Sequence, residues 1–243
     1  MSEHKFPTEE VELPSKGLVY PPEHPLSSGK VEIKYMTAKE EDILSNQSFI
    51  SKGTVLDKLL NSLIVTEGVK VDDFIVGDKN AVFIVARILG YGKEYNVTIN
   101  GNPETIDLSE LQNKPFSEEN IPNKGVNEFS YTLESTGDIL TYKLLTGKDE
   151  KAIDRELAGL KKINKESSPD MTTRLKHMIT SINGNEEKKE IRKFVDEYLL
   201  ARDARAFREH VRKTQPDVNM DYILDSGKEV AIPIGLTFFW PDY

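Results

Sequence analysis

The last six residues of the chain, Phe238-Phe239-Trp240-Pro241-Asp242-Tyr243, place three consecutive large aromatics before a proline where a chain ordinarily frays. Left exposed, three such side chains would invite association with any apolar surface. The segment must therefore be packed into the core or held by a partner. Each aromatic covers about 150–250 Å2 on burial. At roughly 25 cal/mol per Å2 the three together represent on the order of 10 kcal/mol before entropy is subtracted, comparable with the stability of a whole domain. Ile232-Pro233-Ile234-Gly235-Leu236 runs into them as one apolar segment, which favours packing within the chain over reserve for a partner.

The opposite end has a different character. Residues 1–30 hold few apolar side chains and many punctuators, among them Pro7, Pro14, Gly17, Pro21, Pro22, Pro25 and Gly29. Such a composition builds no core by itself and reads as an extended N-terminal arm. Within it, Leu13-Pro14-Ser15-Lys16-Gly17-Leu18-Val19-Tyr20 is too apolar for a solvated linker. Leu13, Lys16, Leu18 and Tyr20 are accordingly candidates for docking on another surface, as are Phe239 and Trp240 at the other end.

Between these ends the hydrophobic period changes several times. Val31–Tyr35 alternates as a strand, and Thr37 with Glu40 fits a capped helix start. Thr54 opens a helix bearing Val55, Leu56, Leu59, Leu60 and Leu63. A third runs from an Asp78 cap through Ala81–Leu89 to Gly90 and Gly92. Tyr95–Ile99 and Thr105–Leu108 flank Asn100-Gly101, a strong hairpin signal. Phe129–Leu133 and Ile139–Tyr142 make a second hairpin around Ser135-Thr136-Gly137-Asp138.

Helical spacing returns near Asp149 with Ile153, Leu157 and Leu160. It continues after Ser168-Pro169 with Leu175, Met178, Ile179 and Ile182, then with Ile191, Phe194, Val195, Tyr198 and Leu199. Asp203 caps a last helix carrying Phe207 and Val211. Tyr222–Leu224 and Val230–Ile234 form a third hairpin about Asp225–Lys228. The expected fold is α+β: a helical core, small β-hairpin modules and an extended N-terminal arm. Its divisions are 1–30 arm, 31–92 strand plus helices, 93–146 small β module, 147–215 helical region, and 216–243 hairpin and aromatic terminus.

The chain has no cysteine, which excludes disulfides, thiolate nucleophiles and cysteine-bound zinc. It contains no His-x-x-x-His, no phosphate loop and no Gly-x-Ser-x-Gly. Its carboxylate clusters, Asp72-Asp73 and Glu40-Glu41-Asp42, lack calcium-loop spacing and read as solvated charge. The expectation is no catalytic residue, no metal and no cofactor. The rival is an acid–base enzyme built on Asp72, Asp73 and Glu40.

No apolar run approaches the roughly 20 residues that span a bilayer, and the first residues lack a secretory apolar core. Neither membrane insertion nor a small-molecule substrate is expected. Residues 150–215 carry 16 Lys/Arg against 12 Asp/Glu, a balance of 16 − 12 = +4, so with −9 overall the remainder carries −9 − 4 = −13. Arg202, Arg205, Arg208 and Arg212, spaced 3, 3 and 4, line one helical face with guanidinium groups. Arginine favours carboxylates and phosphates and is enriched in interfaces. The arginine row makes an acidic protein the expected partner before nucleic acid, and the net charge of −9 counts against nucleic acid.

In their order, these pieces resemble the T4-type bacteriophage baseplate protein family, the hub subunit and hub-assembly proteins of contractile-tailed phages. The residues carrying the resemblance are Leu13–Gly17 with Tyr20, Met36–Glu41, Tyr91–Tyr95, Lys143–Glu150, Arg202–Arg208 and Phe239–Asp242. Some members of that family carry Cys-x-x-Cys knuckles in the two outer hairpins; this chain does not, so metal stabilisation does not carry over. The resemblance implies a non-enzymatic role in the baseplate hub, either as a virion component or as an assembly chaperone absent from the mature particle. It implies other baseplate or tail proteins as partners. The implied location is the host cytoplasm during assembly, and the virion tail baseplate for a retained component.

Overall fold

The computed structural model describes residues 7–99, 102–163, 169–223, 227 and 229–239. In chain order the elements are β1 (Thr8–Glu12), β2 (Lys30–Lys34), α1 (Ala38–Leu44), α2 (Gln47–Ser51), α3 (Val55–Leu63) and α4 (Val76–Tyr91). Then follow β3 (Glu94–Ile99), β4 (Asn102–Asp107), β5 (Phe129–Thr132), β6 (Ile139–Tyr142), α5 (Gly147–Ile163), α6 (Asp170–Met178) and β7 (Ile179–Ile182). The chain continues through α7 (Lys188–Glu197), α8 (Ala201–Thr214), β8 (Asp221–Ile223) and β9 (Glu229–Ala231). The strands form small antiparallel sheets, β1–β2, β3–β4, β5–β6–β7 and β8–β9, segregated from the helices. The fold is α+β.

The centre is α4. Its Gly77, Asp78, Ala81, Val82, Phe83, Ile84, Ala86 and Arg87 are all buried, so water meets little of its circumference. A helix buried nearly all round is apolar nearly all round, which is why Val82-Phe83-Ile84-Val85 resembles a strand by propensity alone. The faces expected of α3 hold as well: Val55, Leu59, Leu60 and Leu63 are buried, with Leu56 at the margin.

The N-terminal segment is not a free arm. Thr8–Glu12 pairs with β2 in register Val11↔Val31, and Val11, Leu13, Val19, Tyr20 and Leu26 all enter the core. Its scarcity of apolar residues matters little because those few are spent against α4 and β2. Two turns make the approach close. Lys16 has φ 53°, and a Cβ on Gly17 (φ 77°) would stand 2.4 Å from the Ser27 carbonyl oxygen. Only glycine fits there without moving backbone.

Asp78, expected as a helix cap, is instead the third residue of α4 and wholly buried. Its carboxylate accepts from the Ser15 amide (2.9 Å), the Ser15 hydroxyl (2.6 Å) and the Tyr20 hydroxyl (2.7 Å). The Tyr20 oxygen in turn accepts from the Ile75 amide at 3.0 Å. Burial pushes the Asp78 carboxyl up to about 6, with the nearby Asp217 charge adding to the rise, against the hydrogen bonds from Ser15 and Tyr20.

The C-terminal segment is held by the same helix. Leu236–Phe239 forms a 3-10 turn in which Phe238 and Phe239 are fully buried. Phe238 packs on Tyr95 (5.2 Å between ring centroids) and Phe239 meets Phe83 edge-on at 5.7 Å. Arg87 clamps the turn. Its guanidinium donates to the carbonyls of Phe238 (2.9 Å), Gly92 (2.8 Å) and Glu94 (3.2 Å). Trp240 to Tyr243 lie outside the described residues.

The middle of the chain departs from the expected divisions. Ile179 and Ile182 continue the spacing of Leu175 and Met178, yet the helix stops at Met178. Ile179–Ile182 becomes a strand on β6, in register Leu140↔Ile182, because pairing buries Ile179 and satisfies the backbone together. That pairing crosses the boundary drawn at 146/147. Residues 112–114 likewise bond to 217–219, through Lys114 N–H to Asp217 O (2.8 Å) and Asn219 N–H to Gln112 O (2.7 Å). A Cβ on Gly77 would lie 1.9 Å from the Pro216 carbonyl oxygen, so this strap crosses α4 where only glycine permits. One hydrophobic cluster joins all these parts. Hairpin β3–β4 forms as its turn signal predicts, with Ile99↔Asn102 closing the register. Asn100-Gly101, Ser168 and most of the β8–β9 connection (residues 224–226 and 228) lie outside the described residues.

Candidate partner-binding surface

The surface candidates separate sharply. Leu13 and Tyr20 are interior, as is Phe239, so as docking residues for another protein these three are corrected: each fills this chain's own core. Leu18 is half-buried against that core. Lys16 is exposed and lines an open cleft of about 950 Å3 between Glu12–Lys16 and Asn113–Glu119. Trp240 lies outside the described residues.

The four arginines do share a face. On α8, Asp203, Ala204, Phe207 and Val211 are buried while Arg202, Arg205, Arg208 and Arg212 are exposed on the other side, joined by exposed Lys213. The buried side anchors the helix that carries the exposed one. Phe207 meets Tyr142 edge-on at 5.1 Å and Tyr131 at 5.4 Å, and the His210 ring nitrogen Nε2 stands 3.2 Å from the Tyr142 hydroxyl. Burial pushes the His210 imidazole down from its ordinary value, so this support adds no cation at neutral pH.

Asp203, expected as an N-cap, is the third residue of α8 and sits beneath the surface. It accepts from the Ser135 hydroxyl at 2.7 Å. The same hydroxyl oxygen accepts from Arg202 Nε. A buried carboxylate thus fixes a serine that fixes an exposed guanidinium. Farther along, Arg212 pairs with Glu209 at 2.8 Å, which raises the guanidinium further, and Lys213 reaches the same carboxylate at 3.5 Å. Arg208 donates Nε to the Ala204 carbonyl of its own helix at 3.2 Å. Among the described residues Arg205 meets no carboxylate.

Leading into α8 is an exposed apolar ledge; of its two residues Tyr198 is expected, with Leu199, on the apolar face of the preceding helix, and only Leu199 packs on the core. Tyr198 is 56% exposed and Leu200 46% exposed. Tyr198 forms one wall of a groove of about 250 Å3 with Phe194 and Ile182, and Lys193 lies over its ring at 5.8 Å.

Comparison with protein-family models, with curated proteins and with solved structures finds no match. The chemistry of this surface therefore rests on its own residues.

Each of the carboxylates considered for acid–base work has a partner. Glu40 is buried, not solvated as expected. It accepts from Ser62 Oγ (2.6 Å), Thr37 Oγ1 (2.6 Å), Thr37 N–H (2.9 Å) and Lys34 Nζ (2.9 Å). Burial alone would raise it; the four donors override burial and bring it down to about 2. Asp72 pairs with Lys151, which also reaches Asp57 at 3.1 Å. Asp73 accepts from the Lys70 amide at 2.7 Å, closing a turn. The four donors keep Glu40 ionised and fixed, the opposite of what a proton shuttle needs. Among the described residues no group of three His, Asp or Glu side chains is placed to hold a metal, and no helix is long and apolar enough to cross a membrane.

Proposed function

We propose that this chain is a non-enzymatic protein of a contractile phage tail baseplate, a structural component or assembly factor of the hub, acting through protein–protein contacts. What carries the reading is the exposed arginine face of α8, held rigid from beneath by Phe207 and the Asp203–Ser135 pair. With Leu13, Tyr20 and Phe239 committed to the interior and Trp240 outside the described residues, the described attachment candidates left at the surface are this face, Lys16 and the half-buried Leu18. The family resemblance supplies the setting, and the preorganised guanidinium row supplies the means of contact.

The experiment is fractionation of phage-infected cells carrying a tagged copy, with mass spectrometry of both tail intermediates and purified virions. A structural component stays with the virion, whereas an assembly factor appears only with intermediates. Absence from every tail fraction would overturn both forms of the proposal.

A further inference from the structure

α8 presents five cations on its exposed side, Arg202, Arg205, Arg208, Arg212 and Lys213, against one partly exposed carboxylate, Glu209. The whole chain carries −9, so this concentration is local. Elsewhere among the described residues several cations sit beside carboxylates, as in Lys79–Asp57 at 2.6 Å and Arg192–Glu156 at 2.6 Å, whereas Arg202, Arg205 and Arg208 on this face form no ion pair. Arginines at 3- and 4-residue intervals form a ridge with helical repeat, extending about 15 Å at 1.5 Å per residue. The segment entering its N-terminal end carries the apolar ledge of Tyr198 and Leu200 and the groove between Phe194 and Tyr198.

We propose that this face docks an acidic helix of a neighbouring protein. That helix carries Asp or Glu at i, i+3 or i+4 and i+7 opposite Arg205, Arg208 and Arg202, and a Leu- or Phe-sized residue at the end that meets the Phe194–Tyr198 groove. The repeat of the arginines matches a helix because both ridges are spaced by the same turn. Charge complementarity selects the partner, and the groove, where Ile182, Phe194 and Tyr198 stand beside Asn185, Glu190 and Lys193, fixes its direction. Nucleic acid fits less well. A phosphate backbone runs on past 15 Å, and the charges of Asp221 and Glu229 lie close enough to act on Arg212 at the far end. The inference rests on the reading of the chain as an assembly protein only for where such a helix occurs; the binding chemistry stands by itself.

The test uses the full chain and three probes. They are a labelled 15-residue helical peptide with Glu at the stated spacing and a terminal Leu, the same peptide with Gln for Glu, and a duplex oligonucleotide. Fluorescence anisotropy measures binding at low and physiological salt, and amide chemical shifts locate it. The Glu peptide is expected to bind about tenfold or more tightly than the Gln peptide, to weaken with salt, and to shift the amides of Tyr198, Arg205 and Arg208. The double change R205E/R208E, on exposed side chains, is expected to abolish this binding with the thermal midpoint unchanged. Equal binding of the Glu and Gln peptides, no binding by either, or tighter binding of the oligonucleotide would overturn the proposal. If the Glu peptide fails while the chain still travels with tail intermediates, this surface is wrong and the assembly reading survives. If the peptide binds but no tail fraction contains the chain, the reverse holds.

Discussion

The two ends of the chain are held by one helix through opposite chemistry. At the N-terminal side Asp78 of α4 draws in Ser15 and Tyr20 as an acceptor; nine residues on, Arg87 draws in Gly92, Glu94 and Phe238 as a donor. The difference is in what each charge can do when buried. A carboxylate can escape by taking up a proton, and Asp78 is pushed up to about 6 by burial. A guanidinium cannot shed its proton in a protein, so Arg87 must keep its carbonyl partners at every accessible pH. The N-terminal clasp is therefore sensitive to pH and the C-terminal one is not. The N-terminal segment also has a strand pairing and several buried side chains, whereas the C-terminal turn depends on two phenylalanines and one arginine.

The largest expected effect comes from emptying the C-terminal pocket. Phe239→Ala should destabilise the fold by about 3–5 kcal/mol in urea unfolding. A loss under about 1 kcal/mol would mean that the terminus does not share the core. Next, Arg87→Met removes the donor to three carbonyls while keeping much of the side-chain volume. It should cost about 3 kcal/mol, by an amount that does not vary near neutral pH.

Asp78→Asn sharpens the contrast by its pH dependence. The Asp78 carboxyl is raised from 3.8 to about 6 in the folded state, so its favourable contribution is complete below its unfolded value and is lost as pH rises through 6. Wild type should therefore lose about 2.4 kcal/mol relative to Asp78→Asn on going from about pH 4 to about pH 7. A parallel pair of stability curves would contradict the assigned burial. Glu40 works in the other direction: lowered to about 2, it stabilises the fold above 4.5 and that contribution is lost as pH falls through 2. Comparing the two variants of Asp78 cancels it. The smallest effect is reserved for the surface: Arg205→Ala should change stability by no more than about 0.5 kcal/mol.

Local chemistry was legible in the sequence and long-range chemistry was not. The Thr37–Glu40 start of α1, the flanks of the β3–β4 turn, the β5–β6 hairpin and the apolar stripe of α3 follow from neighbouring residues, and each appears. Asp78 and Asp203 were legible only as helix-start residues. Their true partners, Ser15 and Ser135, lie 63 and 68 positions away. β7 was hidden because Ile179 and Ile182 satisfy a helical spacing as readily as a strand, and only β6 decides between them. Arg87 did leave a signal, a single cation within the apolar run Ala81–Leu89, which a buried clamp explains better than a solvated face. The arginine row of α8 was visible in full, whereas Tyr198 was misplaced on the apolar face because the helix ends at Glu197, just before it.

Hydrogen exchange resolved by peptide tests most directly whether α4 holds both ends inside the fold. Segments 11–29 and 229–239 should exchange with the same opening free energy as 76–91, and all three should respond to urea in parallel, as parts of one cooperative unit. Exchange of either end orders of magnitude faster than α4, with little dependence on urea, would show that end to be a peripheral attachment and would contradict the account.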